Sequence, residues 1–138
     1  MKVLCVNNSG SALPPECLLE EAGIGKDTNF TITIGKRYVV YGVTTFLECP
    51  WYYLCDDYFK GYPRWYPSPL FDVVDRSISR FWSIGIHTSK LRPVRQLVLA
   101  FPEWADDPAF YGRLVDGDVV AKRVFDHYKS LLDQESNV

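Results

Sequence analysis

The sequence predicts an α+β fold, a small curled antiparallel sheet followed by C-terminal helices. Three observations predict it. Runs of β-branched and aromatic residues fill roughly the first hundred positions, and turn residues punctuate them. Helical spacing begins only after Asp106. The length, 138 residues, suits one hydrophobic core. The chain therefore reads as a single domain, 1–138, with a barrel-like β core over 1–102, an insert at 10–29 and a helical segment over 103–138.

Lys2 to Val6 is a short β-rich run stopped by Asn7-Asn8-Ser9-Gly10. Residues 10–29 are rich in Gly, Pro, Ser and Glu and read as an excursion, with one helical turn expected around Glu16 to Ala22. Phe30 to Phe46 is dense in strand formers, with Gly35 at a turn or bulge. Trp51 to Cys55 is the next run, closed by Asp56-Asp57. The prolines at 63, 67 and 69 argue against a regular strand through 59–69. Leu70 to Val74, Ser79 to Ile86 and Gln96 to Phe101 read as three further strands.

In the tail, Asp106-Asp107-Pro108 carries a helix start signal: a capping carboxylate, then proline where a missing N–H does no harm. Asp116-Gly117 breaks that helix. From Asp118 onward Val120, Val124, Tyr128 and Leu131 recur at helical spacing beside Leu132, a stripe expected to pack on the sheet.

Composition excludes several classes. Charged residues are 23% and hydrophobic ones 47%, which rules out a disordered chain, and the net charge of −2 rules out a polybasic nucleic-acid tail. Charge is nevertheless uneven. Residues 1–58 hold 4 basic and 7 acidic groups, 59–102 hold 7 and 2, and 103–138 hold 4 and 8. A basic middle between acidic ends suits internal complementarity or an acidic partner. The opening run is too short for a secretory signal and no stretch is long enough to span a bilayer, so a cytoplasmic location and no membrane partner are expected. Cys5, Cys17, Cys49 and Cys55 then read as reduced thiols, and their spacing does not favour zinc. No metal and no cofactor are expected.

The search for chemistry yields few candidates. His87 follows an apolar strand beside Thr88 and Ser89, but strand neighbours face opposite ways, and His127 sits on the tail helix. Among paired carboxylates, Asp56-Asp57 lies beside the aromatics Tyr58, Phe59 and Tyr62, which makes it the best candidate for hydrolytic acid/base work. The segment from Tyr58 to Tyr66 mixes five aromatics with Lys60 and Arg64. Such a mixture suits base stacking, but it fits a protein–protein hot spot better. Trp65 and Tyr66 are expected nearer the core, Tyr58, Tyr62 and Arg64 nearer solvent.

A set of ordered motifs carries a resemblance: Val3-Leu4-Cys5-Val6-Asn7-Asn8, Ile34-Gly35-Lys36-Arg37-Tyr38-Val39-Val40, Trp51-Tyr52-Tyr53-Leu54-Cys55-Asp56-Asp57, then Tyr66-Pro67 and Leu70-Phe71-Asp72-Val73-Val74. Over about residues 2–74 the chain resembles small bacterial and phage proteins with an SH3-like barrel. It departs from them in the insert, the aromatic segment and the helical tail. In general type it is similar to bacterial immunity proteins, which implies a non-catalytic cytoplasmic protein that neutralises a toxin domain by direct binding. The expected contact residues are Glu48, Asp56, Asp57, Tyr58, Tyr62 and Arg64, the carboxylates standing in for phosphate in a toxin's basic cleft. A small nucleic-acid-binding barrel is the alternative, and a hydrolase using Asp56 or Asp57 the second.

Overall fold

Strands form where β-branched and aromatic side chains alternate between two environments. The computed structural model describes residues 1–137. The strands are β1 (Lys2–Cys5), β2 (Arg37–Val39), β3 (Gly42–Phe46), β4 (Cys49–Leu54), β5 (Arg64–Pro67), β6 (Phe71–Asp75), β7 (Ser83–Thr88) and β8 (Arg95–Ala100). The helices α1 (Pro102–Ala105), α2 (Phe110–Val115) and α3 (Val119–Ser136) follow. The fold is α+β. Two antiparallel sheets, ordered β2-β1-β6 and β5-β4-β3-β8-β7, precede the helices. Among the described residues no ladder joins the sheets into a closed barrel.

The chain passes between the sheets at Val40-Tyr41. The Val40 N–H donates to the Met1 carbonyl, and the Tyr41 N–H donates to Tyr53. One core cluster gathers Val3, Cys5, Tyr38, Val40, Leu54 and Leu70 from the β1–β6 region. A second joins Tyr41, Val98 and Ala100 to Phe101, Trp104, Phe110, Phe125 and Leu132 of the helical segment. No helix among the described residues is long and apolar enough to cross a membrane.

Several elements differ from the sequence expectation, each for a local reason. The excursion at 10–29 holds three short 3-10 turns, at Gly10–Ala12, Pro15–Cys17 and Glu20–Ala22, in place of one helical turn. Its Cys17 is joined to Cys49 by a disulfide with the two Cα atoms 5.5 Å apart, so only Cys5 and Cys55 are free thiols. The expectation of four reduced thiols is corrected there. Distant loop and strand pairing brought those two sulfurs together, and spacing alone does not show that. Residues 30–36 are not a strand: Gly35, at φ +89°, turns the chain back to the Cys5 carbonyl.

A strand does run through 64–67, against the proline argument. β5 is the outer strand of its sheet, Pro63 precedes it and Pro67 ends it, so neither proline breaks a central ladder. β7 starts at Ser83 because Ser79 forms a turn with Phe81 and Trp82. Helix formation begins at Pro102, earlier than expected. Asp107 instead opens α2, its carboxylate accepting from the Ala109 N–H at 2.9 Å. α3 follows Asp118, where the helical spacing was expected to begin, and Asp118 caps it, accepting from the Ala121 N–H at 2.9 Å. The α3 stripe is turned by one residue. Ala121, Phe125 and Leu132 are buried, whereas Val120 is 67% exposed. The larger Phe125 ring reaches Tyr41 and takes the inward place.

Candidate functional site

β4 ends at Leu54, and the next residues meet hydroxyls from the 30–38 segment. Asp56 is 1% exposed. One of its oxygens accepts from the backbone N–H groups of Tyr58 (2.9 Å) and Phe59 (2.8 Å). The other accepts from Thr31 Oγ1 and Tyr66 Oη, both at 2.7 Å, with Arg64 3.8 Å away. Burial pushes the Asp56 carboxyl up, but the hydrogen bonds from Thr31, Tyr66, Phe59 and Tyr58 outweigh it and leave it below the ordinary carboxylate range. Asp57 accepts from Lys36 Nζ (2.6 Å), Tyr38 Oη (2.8 Å) and the Thr33 hydroxyl. Burial raises its pKa, and the bonds from Lys36, Thr33 and Tyr38 bring it down to about 2.

Both carboxylates are therefore structural anchors, and the burial of Asp56 corrects the expectation that it faces a partner, whereas Asp57 keeps part of its side chain in solvent. They are ionised pins for the 56–62 loop, and neither holds a proton to give near neutrality. Glu48 is exposed, in the turn at the far end of β4. The structure does not bring it together with the loop.

The loop itself divides as the chemistry of its rings suggests. Tyr58 is 85% exposed. Phe59 packs edge-on against Tyr62 at 4.7 Å, with the Arg64 guanidinium 5.4 Å from its ring centre. Tyr62 also meets Tyr111 of α2, and Tyr111 donates its hydroxyl to the Pro63 carbonyl at 2.7 Å. Trp65 stacks on the buried Trp51 at 4.3 Å, and Tyr66 is buried, as expected of both.

Tyr62 and Arg64 also form one lip of a cleft of about 680 Å³. Its floor is a single face of the five-stranded sheet. Cross-strand pairing puts Tyr53 beside Trp65, Thr44 beside Val98, and His87 beside Gln96 on that face. One wall is the turn around Gly23 to Thr28, and the other is Trp104, Tyr111 and Gly112. Two glycines let this second wall seat on the sheet. A Cβ at Gly42 would press on the Trp104 ring at 3.2 Å, and one at Gly85 would collide with the Ala105 carbonyl. His87 donates from Nε2 to that carbonyl at 2.8 Å, so its ring is held against α1. His127 is exposed on α3.

Sequence reasoning missed this cleft. The alternation of Tyr53, Trp65, His87 and Gln96 on their strands was a usable signal for the floor. Nothing local signals that α1 and the 23–28 turn stand over opposite halves of the same face. No family model, curated protein or solved structure matches this chain.

Proposed function

We propose that this chain is a non-catalytic binding protein that neutralises a bacterial toxin domain by docking its 58–64 loop on it. The observation that carries the reading is the preorganisation of that loop. The backbone N–H groups of Tyr58 and Phe59 donate to the buried Asp56, which Thr31 and Tyr66 hold in turn, and Tyr58 projects from the loop with most of its ring in water. A rigid, exposed tyrosine beside an arginine is the chemistry of an interface hot spot, and ordering it on binding costs little. Tyr58, Tyr62 and Arg64 remain the proposed contacts, with Phe59 added. Asp56 and Asp57 serve by shaping the loop. The toxin assignment rests on the resemblance in type to immunity proteins.

We also propose that about residues 2–74 are an SH3-like barrel. What supports it is the order of pairing. β1 lies between β2 and β6, the chain crosses between sheets at Val40-Tyr41, β3 to β5 form a meander, and a 3-10 turn at Ser68–Leu70 leads into β6. A cytoplasmic site of action is part of this proposal. It requires the fold to persist with Cys17 and Cys49 reduced, because bridges are maintained in oxidising compartments.

The test is a pull-down from the source strain with the intact chain and with Tyr58→Ala. Capture of one protein partner in stoichiometric amount, lost or weakened at least about tenfold by Tyr58→Ala, is expected. Recovery of RNA alone, or a partner held equally by the variant, overturns it.

A further inference from the structure

We infer that the cleft over the five-stranded sheet binds a small planar aromatic ring carrying an acidic group. This goes beyond the docking of the 58–64 loop and shares only the Tyr62 and Arg64 lip with it. The volume, about 680 Å³, lies in the range of pockets that enclose small ligands. Tyr53 sits at the centre of an aromatic cluster, 4.8 Å from Trp104 and 5.1 Å from Tyr111, with Trp65 stacked beside it at 6.4 Å. Such a surface favours a flat, polarisable ring laid against it.

Charge decides what the ring carries. Arg64 and Lys90 stand at the cleft, and its lining contains no Asp or Glu. Among the described residues Lys90 has no ion-pair partner, and its ammonium reaches towards Gly112 across the mouth, 3.5 Å from where a Cβ there would sit. Asp107, near His87, is already bound by Arg113 at 2.6 Å. A cation with no counter-charge at the rim of an aromatic cleft attracts an anion and repels a cation. Aromatic carboxylates and nucleoside monophosphates share this ring-plus-anion chemistry.

Calorimetric titration of the intact protein at low salt separates them. The probes are naphthalene-2-carboxylate with its neutral carboxamide, and adenosine monophosphate with adenosine. At least one acid is expected to bind about tenfold tighter than its neutral counterpart. The carboxylate winning assigns aromatic acids, and the monophosphate winning assigns nucleotides. Lys90→Gln is expected to erase most of that preference, and Arg76→Gln, on the exposed turn after β6, to leave it intact. Gly112→Leu projects into the mouth, where open space and the flexible lysine receive it, and is expected to block binding while the fold stays intact. Equal binding of acid and neutral probe, no binding by any probe, or undiminished binding in Gly112→Leu overturns the inference. Loss of a protein partner through Tyr58→Ala leaves these titrations unchanged, so the two readings fail separately.

Discussion

Asp57 shows how a single carboxylate ties stability to pH. Its pKa falls from the ordinary 3.8 to about 2 in the folded chain, so folding favours the ionised form. The stabilisation it gives is fully present above the unfolded value and is lost as pH drops from about 4 to about 2. Asp57→Asn is therefore expected to be less stable at neutral pH and to lose less stability across that acid window. Urea unfolding at several pH values measures it, and identical acid limbs in the two proteins would contradict it. The pair Asp56-Asp57 was legible in the sequence as a charged strand end next to aromatics. Its cage was not, because Thr31 lies 25 residues from Asp56 and Tyr38 lies 19 from Asp57. Only tertiary pairing of the 30–38 segment with the end of β4 brings those hydroxyls in.

The insert at 10–29 has little regular structure, yet it covers Trp51 and Phe46 and is stapled by Cys17–Cys49. With the two cysteines 32 positions apart in sequence, the chain-entropy picture gives the bridge a stabilisation of about 4 kcal/mol. Reduction, or Cys17→Ser with Cys49→Ser, is expected to lower unfolding stability by an amount of that order, and an unshifted urea midpoint would refute it. The free thiols should not confuse the reading. Burial pushes Cys55 up to about 11 and also raises Cys5, so both stay protonated and slow to react while the chain is folded. Residue patterning made β1, β4, β8 and the start of α3 at Asp118 readable, since strand-forming runs and helical spacing are local signals. β5 was hidden because its prolines are harmless only at a sheet edge, a position that no local rule supplies. The phase of α3 was settled by which side chain Tyr41 could receive.

Across the whole molecule, the sheet and the helical segment meet through backbone as much as through side chains. At Gly85 a Cβ would stand 1.9 Å from the Ala105 carbonyl, so this contact accepts only glycine without movement of α1. Gly85→Ala is expected to destabilise the protein by about 2 kcal/mol or more, loosen His87 from its carbonyl and deform the cleft wall. Thermal unfolding with amide exchange at Trp104 would register it, and wild-type values for both would argue against so tight a seat. The fold class itself followed from composition and period. The joint between its halves depends on absent side chains, which sequence patterning of hydrophobic residues does not register.

One more joint has a bearing on synthesis. The Tyr41 hydroxyl, at the crossing between sheets, donates to Asp133 near the end of α3 at 2.6 Å across 92 residues, with the Lys129 ammonium 5.5 Å from the same ring. That latch can shut only after Asp133 has left the ribosome, 92 residues behind Tyr41. The crossover at Tyr41 thus waits, made early but fastened late, and a nascent chain halted before Asp133 would carry two sheets with an unlocked corner.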